Sequence, residues 1–213
     1  MMRRSAAVLL AWLGFASAAG AQPPSDAPPA TATTNARRDV LTFLAGAGIG
    51  LVVHEGGHFV VDEIFDARPH VIPVHFGSIP FLAISPQRPL SPKQLFTVTS
   101  AGFWTQELTS ELLLTRHRDL HHVHAPFAKG LLAFDVLTSI GYAAVAFAGQ
   151  GPVERDTRGI AQGLGVSERA VGLVVLSPAA LDVYRYFRPD STWARWASRI
   201  AKAGSIVLVI QAP

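Results

Sequence analysis

The chain has 213 residues, 49% of them hydrophobic and only 15% charged, with a formal net charge of +3. That charge content is well below the roughly 25% of soluble domains, and the basic residues are scattered among apolar segments, which argues against the single basic stripe of a nucleic-acid binder. Cysteine is absent, which excludes a disulfide framework and a Cys-based zinc site, so any metal must be held by His, Asp or Glu.

The amino terminus reads as a signal peptide over residues 1–21. Arg3-Arg4 is a basic n-region, Ala6 to Phe15 a short apolar core, and Ala19-Gly20-Ala21 a small-x-small cleavage site before Gln22. The apolar core falls short of the ~20 residues needed to span a bilayer. Residues 22–38 read as a disordered Pro/Ala/Thr-rich linker. The expected setting is a multi-pass protein of a bacterial inner membrane, with this linker on the non-cytoplasmic side. That orientation also puts Arg116 and Arg118 outside, against the positive-inside tendency.

The first expected membrane helix covers 39–62 and carries His54-Glu55-Gly56-Gly57-His58 towards its carboxyl end. This is H-E-x-x-H. Residues four apart share a helix face, so His54 and His58 can aim two imidazoles at one zinc ion. Glu55 sits one position round, placed to take a proton from water activated by the metal. An ionisable cluster on an apolar helix is costly to bury and so points to function. Gly56 and Gly57 each cost roughly 1 kcal/mol against Ala inside a helix, which implies that something approaches the backbone closely. Gly46, Gly48 and Gly50 extend a small-residue surface suited to helix packing in membranes.

Residues 70–85 alternate β-branched residues with prolines and predict a short hairpin, its prolines at edges or turns. Ser91-Pro92 opens a helix over 92–115, whose second half is made polar by Gln106, Glu107 and Glu111. A polar connection follows with His117, His121, His122 and His124, read as a solvated loop. Next come an apolar helix over 127–148 broken by Asp135, a short helix from Asp156 to Gly163, a helix from Ser167 to about Phe187, and a last one over 191–210. The fold class is mainly α: a polytopic membrane helix bundle with a short β-hairpin after the first core helix.

The motif inside an apolar helix, the β-like segment 70–85 and the small-residue passage Ser100-Ala101-Gly102-Phe103 together resemble the site-2 protease family of intramembrane zinc metalloproteases, over approximately residues 39–165. The resemblance implies a metalloprotease-like domain over 39–213 that binds Zn2+ and hydrolyses peptide bonds of membrane-protein or peptide substrates within the lipid bilayer, with Glu55 as general base. In that family a later helix supplies an Asp as third ligand, commonly in an Asp-Gly sequence. This chain has no Asp-Gly. The residues themselves leave Asp156, Asp135, Glu107, Glu111 and Asp62 as candidates. Asp156 ranks first because it follows the Gly151-Pro152 break, where a carboxylate can turn towards the histidines; Asp135 ranks second, its plainer role being a buried hydrogen bond to Thr138 or Ser139. Gln106 is a candidate substrate-orienting amide. Two rival readings remain: a non-catalytic membrane scaffold or chaperone that keeps the fold, and a metal-handling protein that uses the histidine loop.

Overall fold

The computed structural model describes residues 36–76 and 79–211. The signal peptide and most of the linker expected from the sequence lie outside the described residues. The described residues form six helices and one hairpin: α1 (Ala36–Ile64), β1 (Pro69–Phe76), β2 (Ile79–Pro86), α2 (Pro92–Arg116), α3 (Pro126–Ala148), α4 (Asp156–Leu164), α5 (Glu168–Phe187) and α6 (Thr192–Gln211). Helix α1 starts three residues before the expected boundary at 39, so residues 36–38 are helical and not part of a linker. The expected break at Asp135 does not occur; α3 is continuous. A single buried carboxylate removes no backbone hydrogen bond, so it costs solvation energy without interrupting the helix.

Local chemistry explains most of the boundaries. Ser91 caps α2 by accepting from the Gln94 N–H, and the Gln94 side chain accepts from the Ser91 N–H, a complete capping box with Pro92 at the first helical position. Ser167 caps α5 by a single bond, accepting from the Ala170 N–H. Helices α3 and α4 end at Gly149 and Gly165, both with φ of 66°, the left-handed conformation that glycine tolerates. The hairpin pairs Val71 with Ile84 and Pro73 with Leu82. Both of its strands are edges, which is why Pro73 is accepted within β1.

Helices α1, α3 and α5 are long and apolar enough to cross a membrane. Their outward faces carry exposed apolar residues such as Leu44, Val52, Leu137 and Leu173. Helices α1 and α3 run parallel and in backbone contact. A Cβ at Gly46 would strike the Phe127 carbonyl, and a Cβ at Gly130 would strike the Phe43 carbonyl. Small residues here let the helices approach at a depth where apolar burial gives little drive. Gly48, part of the same expected surface, faces open space instead. Helix α2 runs antiparallel to α1, with Gly57 packed against the Ala101 carbonyl, so one of the two motif glycines marks a helix crossing. Phe96 and Phe103 of α2, Ile160 and Ala161 of α4, and Val171 and Val175 of α5 form the main apolar core. That core docks α4 against the motif-bearing pair.

Candidate metal centre

His54 and His58 lie on one face of α1 and are 2% and 4% exposed. Their rings meet edge to face, with centroids 4.9 Å apart. Asp156, the first residue of α4, reaches them from a second helix. Its Oδ2 lies 3.1 Å from His54 Nε2 and 3.3 Å from His58 Nε2, and the two Nε2 atoms are 3.2 Å apart. Among the described residues this is the one group of three or more His, Cys, Asp or Glu whose ligand atoms converge closely enough for a metal ion.

The other ring nitrogens define what those atoms can do. His58 Nδ1 is 2.8 Å from the Val98 carbonyl, and His54 Nδ1 is 2.9 Å from Gln106 Oε1. The Gln106 amide is oriented by its NH2 group, which donates to the Asp135 carbonyl at 3.3 Å. A carbonyl oxygen only accepts, so each Nδ1 must carry the proton. In neutral histidines both Nε2 atoms then present lone pairs, beside a carboxylate oxygen. Three acceptors converge with no donor among them, and a cation relieves that arrangement. In tetrahedral coordination with bonds of about 2.0–2.2 Å, neighbouring ligand atoms stand roughly 3.3–3.5 Å apart. The observed triangle closely matches one face of such a tetrahedron, with the fourth corner left for water or substrate. The group can therefore hold a metal ion.

Several neighbours build this geometry. Gly102 lies against the triangle: a Cβ there would sit 2.5 Å from His54 Cε1 and 2.6 Å from both Nε2 atoms. The His54 ring is walled by Phe103, Phe134 and Tyr142, the last stacked at 22°. Asp156 is fixed by the turn before it. Arg155 donates to both Glu168 carboxylate oxygens at 2.6 and 2.7 Å, and Thr157 Oγ1 donates to Glu168 at 2.7 Å. That bidentate clamp ties the start of α4 to the start of α5.

Glu55 is not a corner of the triangle, although its carboxylate interacts electrostatically with all three corners. It lines a cavity of about 200 Å³ shared with Val74, Leu82, Ala83, Tyr142 and Arg155. Its Oε2 accepts the Ile84 N–H at 3.0 Å. The outer edge of β2 is thus laid against the acid.

The remaining candidates lie elsewhere. Asp135 is buried, but its carboxylate has no hydrogen-bond partner among the described residues, so the expected bond to Thr138 or Ser139 is absent. Asp62 is buried in α1, and its carboxylate also has no hydrogen-bond partner among the described residues. Glu111 pairs with Arg185, Arg199 and Lys202, and Glu107 accepts from Ser205, so both belong to a polar seam against α6. The histidine loop forms no three-residue metal group: His124 pairs with Asp39, and His121 packs on Tyr186 and Phe187. Gln106 meets a histidine and does not line the cavity beside Glu55, so it orients His54. Sequence reading missed the positioning roles of Gly102, Tyr142, Arg155 and Glu168; only Gly102 gave a signal, as part of the small-residue passage in α2. No protein family, no curated protein and no solved structure matches this chain.

Proposed function

We propose that the chain is a zinc-dependent intramembrane peptidase. The observation that carries this reading is the convergence of three acceptor atoms, His54 Nε2, His58 Nε2 and Asp156 Oδ2, next to a cavity that also exposes the Glu55 carboxylate. Nitrogen and oxygen donors in a three-ligand set with an open fourth corner suit catalytic zinc. Three helices long and apolar enough to cross a bilayer, one of them carrying both histidines, support a reaction at membrane depth.

Zinc held there supplies Lewis acidity, polarising the scissile carbonyl and lowering the pKa of water to about 7. Glu55 takes a proton from the attacking water. It returns that proton to the amine nitrogen as the C–N bond breaks. His54 and His58 keep their protons on Nδ1 throughout, held by Gln106 and Val98. A substrate helix must unwind before its carbonyl is available, since its backbone groups are already paired. The outer edge of β2 lies beside Glu55 through Ile84, which favours an extended substrate segment lying along that edge.

Metal analysis and cleavage assays on detergent-solubilised protein test the proposal. Wild type is expected to carry about one zinc per chain. His54→Ala, His58→Ala and Asp156→Ala should lose it, while Asp135→Ala keeps it. Glu55→Gln should retain zinc and lose cleavage of a helix-destabilised membrane peptide by about 10²–10⁴-fold. Unchanged zinc in both histidine variants ends the metalloprotein reading. Zinc bound by wild type with no cleavage of any peptide supports the scaffold reading instead.

A further inference from the structure

A second polar cluster lies across Gln106 from the metal centre, where α2, α3, α5 and α6 meet. It contains four carboxylates, Glu107, Glu111, Asp135 and Asp182, and three fixed cations, Arg185, Arg199 and Lys202. The cations are committed. Arg185, Arg199 and Lys202 all reach Glu111, the last two at 2.9 and 3.3 Å. Lys202 also meets Asp182 at 2.8 Å, and Ser198 donates to Asp182 at 2.8 Å. Glu107 has the Ser205 hydroxyl. Asp135 is 4% exposed, and neither of its carboxylate oxygens has a hydrogen-bond partner among the described residues.

The unpartnered carboxylate lines a cavity of about 10 Å³, bounded also by Gln106, Glu107, Ser110, Ser139 and Asp182. That is room for one water-sized occupant. Its polar lining is dominated by oxygen, the hard donor type that binds alkali and alkaline-earth ions and not zinc. With all four carboxylates ionised, the cluster is one positive charge short of balance. A divalent ion would overshoot that balance beside the Lys202 ammonium, whereas a monovalent ion of about water size meets it. We infer that this cavity is a sodium site, with Asp135 as its anchoring ligand and Glu107, Ser139 and Asp182 as the oxygens around it.

The site has a structural consequence. Gln106 donates to the Asp135 backbone carbonyl and accepts from His54. An ion that fixes Asp135 therefore also fixes the residue that orients His54.

The test is thermal unfolding of the detergent-solubilised full chain in sodium chloride, against potassium chloride and choline chloride at equal ionic strength and constant pH. Sodium should stabilise wild type saturably; at ten times its dissociation constant the folding equilibrium shifts about elevenfold towards the folded state. Asp135→Asn should fold in choline, because it replaces an unpaired charge with an amide, and should lose the sodium response. Glu107→Gln is a second, independent variant expected to weaken it. Asp66→Asn, an exposed carboxylate at the end of α1, should keep it. Equal behaviour of wild type in sodium and choline overturns the site, as does an undiminished sodium response in Asp135→Asn. Stabilisation of wild type by acid alone, with no effect of sodium at any pH, shows that Asp135 takes a proton and also overturns it. None of these readouts depends on zinc or on cleavage.

Discussion

On one side of Gln106, three acceptor atoms converge without a donor among them; on the other, three cations are spent on carboxylates of α2 and α5. The first arrangement can hold a metal ion. The second is mostly resolved internally, by ion pairs that hold α6 to α2 and α5. The difference lies in which partners surround each acid. Asp156 faces two imidazoles whose protons are committed to other acceptors, so its charge is available to a ligand. Glu111 faces two guanidiniums and an ammonium, so its charge is consumed by the fold. Both acids are carboxylates near helical histidines or cations, and only their surroundings separate function from architecture.

The largest expected effect is on the architectural side. Glu111→Ala leaves Arg185, 3% exposed, without its closest carboxylate. Breaking a buried pair in this way costs about 3–5 kcal/mol, measurable by denaturant unfolding in detergent, while zinc affinity of the folded protein stays as in wild type. A loss below about 1 kcal/mol, the range of an exposed pair, would show that Asp182, 3.6 Å from Arg185, takes over the pairing; the contrast between the clusters would then be weaker than drawn.

Gln106→Leu probes the bridge between them. It removes the acceptor that holds the proton on His54 Nδ1, so zinc affinity should fall about 10–100-fold, as for other residues that orient metal ligands. Competition with a chelator of known affinity reads this directly. Unaltered affinity would mean that the aromatic walls alone orient His54.

The smallest effect concerns acid. Burial raises the Glu111 carboxyl, but hydrogen bonds from Arg185 and Arg199 and the charge of Lys202 outweigh it and bring it to about 2. A carboxyl depressed in the folded state stabilises fully above its unfolded value and loses that contribution as pH falls through the folded one. The stability difference between wild type and Glu111→Gln should therefore shrink between about pH 5 and pH 2. Using the difference removes the separate effect of acid on the metal ligands. The partial exposure of Glu111 and solvent screening keep the change modest. A difference that stays constant through this range would show that Glu111 acts by shape and not by charge.

Local signals made much of the molecule legible. The i, i+4 spacing of His54 and His58 placed two ligands on one face before any tertiary contact was known. Ser91-Pro92 and Ser167 announced helix starts, and the prolines of 70–85 a hairpin of edge strands. Asp156 was legible as a candidate because it opens a helix after a break, but nothing local distinguished it from an ordinary first-turn acid. Asp135 read as a helix breaker because an isolated charge in apolar sequence looks disruptive; the backbone hydrogen bonds of α3 are indifferent to it.

The sequence by itself determined the elements, their apolar faces and the two histidines, because these follow from periodicities of a few residues along one chain segment. The tertiary structure alone decided which acid joins them, that Gln106 orients His54 and not a substrate, that Gly102 is bare because two imidazoles occupy the space of its side chain, and that Glu111 is consumed by three cations. Each of those depends on atoms brought together from helices up to 102 residues apart in the chain. No pattern within one helix encodes the distance between two of them.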